Sequence, residues 1–157
     1  MTPLAWFVGL FLPACRATGP RGLPAPERLD LRQLRRPASP NSALAAPAGA
    51  VPAPDLVTPR YPVAAVRLYA AVVAVAAGQP RTWLAAEFPA ERQAHFVARS
   101  ALLNFPDLIV AQADEAGPGA STLALYSRSV YGYSDLGANR QRLHAWLAAL
   151  RTHIDHP

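Results

Sequence analysis

The fold is decided by the stretch STLALYSRSVYGYSDLGANRQRLHAWLAALRTHI, residues 121–154, in which a strand-like segment is followed by helical spacing. The segment from Ser121 to Val130 follows the turn Gly117-Pro-Gly119 and predicts a β-strand. Ser134 is a typical N-cap residue and predicts the start of a helix. Six apolar residues then fall on one face of that helix: Leu136, Leu143, Trp146, Leu147, Leu150 and Ile154. The sequence therefore predicts a final strand and a core-facing helix joined by a short turn.

The residues upstream predict one further helix and three further strands. An Ala/Val run from Val63 to Ala77 predicts a buried helix that ends before Gly78 and Pro80. Strands are predicted over residues 82–88, 94–100 and 108–113, with turn residues between them. Links this short join antiparallel neighbours. We therefore expect one α+β domain over residues 58–153, with two layers: an antiparallel four-stranded sheet and both helices packed on one side of it.

The N-terminus resembles an export signal. Residues 4–14, LAWFVGLFLPA, form an apolar run of 11 residues, whereas a helix needs roughly 17 to 25 to span a bilayer. A small residue precedes Cys15, as at the site where bacterial lipoproteins are cleaved and lipidated. We therefore expect a signal peptide over residues 1–15 and a lipoprotein anchored to the membrane through Cys15, facing the periplasm of the cell envelope. The alternatives are cleavage elsewhere and a cytosolic N-terminal segment.

Residues 16–57 predict a Pro/Ala/Arg-rich tether, of which residues 36–57 could instead belong to the domain. Ten of the 17 prolines lie between residues 16 and 62, and such segments do not sustain helices or strands. Residues 16–60 hold seven Arg against three acidic residues, so most of the net charge of +5 lies there. Because export separates this charge from nucleic acid, we expect no nucleic-acid partner. A solvated charge run is the favoured interpretation of Arg35-Arg36, and contact with an anionic lipid surface is the functional alternative.

A longer motif, YSRSVYGYSDLGANR over residues 126–140, marks the junction between the last strand and the last helix. Together with Phe105-Pro-Asp107, Pro80-Arg81 and the segment Arg36-Pro-Ala-Ser-Pro-Asn41, it resembles the family known as domain of unknown function 1499. The similarity extends over residues 36–153, and Ser42 stands where many members have a cysteine. The resemblance implies envelope or lumen proteins of bacterial and chloroplast type, often lipoproteins, with no established activity.

The motif admits a structural and a ligand-binding interpretation. The structural one assigns turn, capping and packing roles to Gly132, Ser134, Asp135, Gly137 and Asn139. Helical spacing places Arg140 within the apolar stripe, where its charge needs a partner such as Asp107 or Glu87. The alternative is an anion site in which Arg128 and Arg140 flank the start of the helix.

Aromatic and arginine side chains in the motif predict a binding surface. The candidates are Tyr126, Arg128, Tyr131, Tyr133 and Arg140, because these residue types are enriched at interfaces. We expect a non-enzymatic, membrane-tethered module that binds an envelope protein or a small amphiphile.

The alternative function is a hydrolase or transferase that acts on envelope material. It requires His95, Ser127 and Asp107 to meet in one pocket, and no diagnostic spacing supports this. We expect no cofactor and no metal site, because the chain has one cysteine and four scattered histidines. His153 and His156 fall at the C-terminus, beside or within the tail of residues 154–157 that we expect to be frayed.

Overall fold

The structure, a computed structural model, describes residues 12–155. The α-helices and strands in chain order are β1 (Ser42–Pro47), β2 (Leu56–Thr58), α1 (Ala65–Ala77), β3 (Thr82–Phe88), β4 (Gln93–Arg99), β5 (Pro106–Glu115), β6 (Ser121–Ser129) and α2 (Ala138–Asp155). The strands form one sheet in the order β2-β1-β6-β5-β4-β3. The predicted α+β class is confirmed.

The sheet differs from the prediction because it has six strands and is mixed. Strands β3 to β6 form the predicted antiparallel meander. Strand β1 adds to β6 in antiparallel fashion, and β2 lies parallel to β1 on the outer edge. The segment of β1, Ser42-Ala-Leu-Ala-Ala-Pro47, has low intrinsic strand propensity, but its position between two strands buries four consecutive residues. Tertiary context therefore overrides local propensity here.

Both helices pack on one face of the sheet, as predicted. Helix α1 buries Leu68, Val72 and Val75 against this face, and the ring of Phe96 from β4 meets Trp146 edge-on at 5.5 Å. Strand alternation supplies the other side of this core from Ala45, Ile109, Ala111, Leu123 and Leu125. Burial of this apolar surface is the main source of stability.

The predicted core face of α2 is right along most of its length and wrong at its start. The fully inward residues are Asn139, Leu143, Trp146 and Leu150. Leu136 lies before the helix and is 92% exposed. Because α2 begins at Ala138, the first inward position belongs to Asn139, and Arg140 is exposed. The prediction that Arg140 lies inside the apolar stripe is therefore wrong.

The opposite face of the sheet is covered by a segment that we call the strap, residues 23–37. Leu31 and Leu34 of the strap are buried against a second apolar cluster formed by Leu44, Ala46, Val110 and Tyr126. Gln93 of β4 holds the strap by both main-chain groups of Leu29: its Oε1 accepts from the Leu29 N–H at 2.9 Å, and its Nε2 donates to the Leu29 carbonyl at 2.7 Å. The sheet therefore lies between a helical layer and the strap.

Much of the segment predicted as a tether takes part in the folded domain. Strands β1 and β2 lie within residues 36–57, which belong to the domain, the alternative that the sequence left open. The remainder of the predicted tether contacts β4 through hydrogen bonds to Gln93 and Arg99. The predicted signal peptide falls largely on residues 1–11, which lie outside the described residues. At the other end, α2 continues to Asp155, so Ile154 and Asp155 of the predicted frayed tail are helical, while residues 156–157 lie outside the description.

Between Leu12 and Asp155, neither helix has both the length and the apolar character that crossing a bilayer requires.

Candidate functional site

Strand alternation divides the motif of residues 126–140 between the two faces of the sheet. Ser127 and Ser129 point toward the helices, whereas Tyr126 and Arg128 point toward the strap. These residues lie at the end of the sheet where β4 and β6 finish and β5 begins, which we call the Arg99 end. The sequence gathers them in one motif, but the structure places them in two separate environments.

On the helix face, Asn139 is the centre of a sealed polar network. It is fully buried, and its Nδ2 donates to the Asn41 carbonyl at 3.0 Å, to Ser129 Oγ at 3.0 Å and to Asp135 Oδ2 at 2.7 Å. Its Oδ1 accepts from the hydroxyl of Ser127. The amide of Asn41 in turn donates to the carbonyl of Gly132 at 2.7 Å. This network ties the start of β1 to the turn before α2.

The network includes an ion pair that the sequence assigns to the wrong arginine. Arg142 Nη2 lies 2.6 Å from Asp107 Oδ2, with side chains 17% and 10% exposed respectively. Arg142 Nη1 also donates to Ser127 Oγ at 3.0 Å and to Asn139 Oδ1 at 2.8 Å. The predicted partner of Asp107, Arg140, takes no part in this pair. Among the described residues, every buried side-chain nitrogen and oxygen has a hydrogen-bond partner.

Asp135 caps α2 more fully than Ser134. Its Oδ2 accepts from the Asn139 N–H at 2.8 Å and its Oδ1 from the Gly137 N–H at 3.0 Å. Burial alone would raise the pKa of Asp135, but the hydrogen bonds from Asn139 and Gly137 outweigh it and leave the pKa below its ordinary value. Ser134 accepts only from the Leu136 N–H, at 3.2 Å, outside the helix. The carboxylate therefore occupies the free N–H groups that an anion would need.

On the opposite face, the strap and the sheet enclose a cleft of about 780 Å³, which we call the strap cleft. Leu23, Leu29 and Leu34 from the strap line it, opposite side chains of β4, β5 and β6. Those sheet residues are His95, Leu108, Val110, Tyr126 and Arg128, continued by Val130. The volume lies within the range of roughly 300 to 1,000 Å³ that is typical of small-molecule sites.

Polar groups gather at one part of this cleft. Arg36 and Arg128 line it. Burial raises the pKa of the nearby Tyr126 phenol, and a hydrogen bond with Ser42 and the charges of Arg128 and Arg36 oppose this rise. Arg36 is also held by Asp55, at 2.8 Å, and by the carbonyl of Ser42, at 3.0 Å. Arg128 is exposed. The cleft thus combines apolar walls with a positively charged, hydrogen-bonding region.

The predicted hydrolase residues do not meet. His95 lies in the strap cleft, where its Nε2 is 2.8 Å from Gln93 Oε1 and its ring meets Phe88 edge-on at 5.3 Å. Burial lowers the pKa of His95 and favours the neutral ring. Ser127 and Asp107 lie in the network on the helix face. The sheet separates the candidate base from the candidate nucleophile, so this constellation is wrong.

The other predicted binding residues are also dispersed. Arg128 faces the strap, whereas Arg140 lies on the first turn of α2, so the two do not flank one anion site. The ring of Tyr131 packs against Phe105 with centroids 6.2 Å apart. Tyr133 is 76% exposed on the loop before α2. Of the five predicted candidates, Tyr126 and Arg128 share the strap cleft.

Another polar cluster, formed by Arg99 and Asn104 and missed by sequence reasoning, holds the residues around Cys15. The buried guanidinium of Arg99 donates to the carbonyls of Ala14 at 2.7 Å, Gly19 at 2.8 Å and Arg21 at 3.0 Å. Asn104 Nδ2 donates to the Cys15 carbonyl at 2.6 Å. Cys15 is fully buried, and this burial raises the pKa of its thiol against the opposing field of Arg99. Nothing in the spacing of residues around Arg99 indicates these contacts, which join positions 78 or more apart in sequence.

From Leu12 to Asp155, no group of three or more His, Cys, Asp or Glu side chains is arranged to hold a metal ion.

Comparison with known proteins gives one structural and one family similarity. The crystal structure of the di-domain ARO/CYC BexL from the BE-7585A biosynthetic pathway is similar with a TM-score of 0.47 and 14% sequence identity. The similarity covers 63% of this chain and 46% of that chain, so this protein spans about half the length of its structural relative. No curated protein matches the chain.

The family similarity covers most of the domain. Residues 34–150 match the family described as protein of unknown function (DUF1499). This range contains all six strands, α1, the polar network around Asn139 and most of α2. The chain therefore belongs to the DUF1499 family.

Proposed function

We propose that this protein is an exported envelope module that binds an anionic amphiphile in the strap cleft. The observation that carries the proposal is the pairing of an apolar cleft of about 780 Å³ with Arg36 and Arg128 beside Tyr126 in its lining. Apolar walls accommodate a hydrocarbon tail, and the exposed guanidinium of Arg128 donates hydrogen bonds to a carboxylate or phosphate headgroup, together with those donors of Arg36 that Asp55 and Ser42 leave open. One acidic residue, Glu27, also lines the cleft, so its lining carries more positive than negative charge.

The strap explains how such a ligand would be enclosed. Its hold on the sheet rests on Gln93, the ion pair of Arg36 with Asp55, and the buried side chains of Leu31 and Leu34. These contacts leave the remaining strap residues at the cleft as a roof. A roof without regular helix or strand can adjust to a tail more readily than a packed helix.

Membrane attachment through Cys15 is a second part of the proposal. It is supported by the apolar run of residues 4–14 and the small residue before Cys15. Because the side chain of Cys15 is buried beside Arg99, lipidation requires residues 14–21 to lie outside this cluster when the modification occurs. Cys15→Ala is expected to release the protein from the membrane fraction of cells that produce the full chain, and unchanged partitioning would contradict the lipid anchor.

The binding proposal is tested with purified full-length protein and oleate, an amphiphile with a carboxylate headgroup. Oleate is expected to displace a fluorescent fatty-acid probe, and Arg128→Gln is expected to weaken oleate about tenfold, because a charge-assisted hydrogen bond is lost. The matched control is Arg140→Gln, which removes the same group at an exposed position outside the cleft. Equal affinity of the two variants, or no displacement from the wild type, would contradict the proposal.

A further inference from the structure

Three large apolar side chains are exposed on two neighbouring loops at the Arg99 end. Leu102 lies between β4 and β5 and is 61% exposed, while Tyr133 and Leu136 lie between β6 and α2 and are 76% and 92% exposed. The contact of Phe105 with Tyr131 joins the two loops. Apolar residues of this size, clustered at one end of a domain, are typical of an interaction surface.

The position of Leu136 is fixed by the protein. Its φ angle of 53° is in the left-handed region that residues other than Gly seldom adopt. Asp135 holds the turn by accepting from the N–H groups of Gly137 and Asn139 on either side of the helix start. The fold thus holds an apolar side chain in solvent at some cost in backbone energy, without burying it in the core.

The chain reaches the same end from its apolar N-terminal run. Leu12 is the first described residue, and the carbonyls of Ala14 and Cys15 are bound there by Arg99 and Asn104. The run of residues 4–14 therefore joins the folded domain at the end that carries the exposed loops. A lipid attached to Cys15 would bring this end, rather than the opposite one, to the bilayer.

Charge at this end favours an anionic surface. Exposed arginines at this end, outside the strap cleft, are Arg16, Arg21 and Arg81, and the guanidinium of Arg81 also donates to the Arg99 carbonyl at 2.9 Å. The acidic residues of the same end, Asp107 and Asp135, are engaged by Arg142 and by main-chain N–H groups within the domain. Arginine near an anionic leaflet contributes attraction, and Leu and Tyr side chains contribute burial at the headgroup level.

We propose that the Arg99 end docks on an anionic lipid bilayer, with Leu102, Tyr133 and Leu136 inserted at the headgroup boundary. This contact is additional to a lipid anchor at Cys15 and independent of amphiphile binding in the strap cleft. It orients the domain with the N-terminal segment and the exposed loops against the membrane.

The test measures sedimentation of the full chain with vesicles of phosphatidylglycerol and phosphatidylcholine. The variant L102S/Y133S/L136S is expected to lose at least about tenfold in partition coefficient, because three apolar side chains no longer enter the bilayer. The matched control is V51S/V57S/V66S, which alters exposed apolar residues away from this end and is expected to stay within about twofold of wild type. Hydrogen exchange of residues 101–104 and 131–137 is expected to slow when vesicles are added.

Two results would overturn the proposal. Equal partitioning of the two triple variants would show that these loops do not contact lipid, whatever the N-terminal run contributes. Slowed exchange that appears with rising protein concentration instead of with vesicles would assign the surface to contact between copies of the chain. Oleate displacement from L102S/Y133S/L136S is expected to match the wild type, so that failure of docking and failure of cleft binding are measured separately.

Discussion

The two faces of the sheet differ in what they bury, although both receive side chains from the motif of residues 126–140. The helix face buries a continuous apolar core. At the Arg99 end of this face, the side chains of Asn139, Arg142 and Asp107 are hydrogen-bonded to other groups of the domain. The strap face buries a smaller cluster and leaves a cleft lined by His95 and Arg128. Alternate residues of β6 serve the two faces.

This difference indicates where stability and binding reside. Polar groups that are fully bonded within a protein rigidify it and offer little to a ligand. Polar groups beside an apolar cleft, such as the guanidinium of Arg128, retain donors for one. We therefore expect substitutions on the helix face to change the free energy of unfolding, and substitutions on the strap face to change binding and local motion.

The largest expected effect is that of Arg142→Ala. It leaves Asp107, whose side chain is 10% exposed, without its guanidinium partner. It also removes the hydrogen bonds that Arg142 donates to Ser127 and Asn139. Removing one member of a buried pair costs about 3 to 5 kcal/mol in free energy of unfolding. Arg140→Ala is the matched control, because Arg140 is exposed on the same helix and should cost under about 0.5 kcal/mol. Urea unfolding measures both, and similar losses would contradict the assignment of Arg142 to the network.

The elements from α1 to α2 could be predicted because local signals agree with their tertiary setting. Predicted and observed bounds coincide for β3, residues 82–88, and differ by a few residues elsewhere. The error at the start of α2 arose from Leu136, an apolar residue at helical spacing whose left-handed φ places it in the preceding turn. Asn139 fits the helical spacing of Leu143 and Leu150 better than Leu136 does, and this spacing could have placed the start of the buried face correctly.

The strap cleft could not be predicted, because its two walls are distant in sequence. The strap is rich in proline and lacks a regular period, although the apolar residues Leu29, Leu31 and Leu34 are a weak sign that it packs on something. Its partners on the sheet are Val110 and Tyr126, about 80 to 100 residues later. The polar network could not be predicted for the same reason, since Asn139 donates to the carbonyl of Asn41, 98 positions away in sequence.

Gln93→Ala tests the strap and is expected to have the second largest effect. Gln93 is nearly fully buried and holds both main-chain groups of Leu29 as well as Gln112 and His95. Loss of these bonds is expected to cost about 1 to 3 kcal/mol and to speed exchange of the Leu29 amide, while the amides of α2 remain protected. The control is Gln33→Ala on the strap surface, where the side chain donates to Asp30. Uniformly faster exchange across the domain would show that the strap is not a separate unit.

His95 is expected to make the strap face sensitive to mild acid. Because burial lowers its pKa in the folded protein, the unfolded chain takes up the proton first as pH falls. Its contribution to stability is therefore present above the unfolded value of 6.5 and is lost progressively as pH drops from there toward the folded pKa. His95→Gln is expected to flatten this part of the stability curve, and His144→Gln, at an exposed position, to leave it unchanged. A slope that survives in His95→Gln would assign the proton uptake to another group.

The smallest expected effect has the opposite sign and links stability to the exposed loop. Leu136→Gly replaces a side chain held at a positive φ by a residue that adopts this conformation without steric cost, so the free energy of unfolding is expected to rise by up to about 1 kcal/mol. Tyr133→Gly, at an exposed position outside the residues with positive φ, is expected to give no such gain. If Leu136 is kept for docking on lipid, Leu136→Gly should be more stable in urea and yet partition less into anionic vesicles. A variant that is more stable and binds vesicles as well as the wild type would leave this strained leucine without a role at the bilayer, and the exposed end would then differ from the strap cleft in having no ligand of its own.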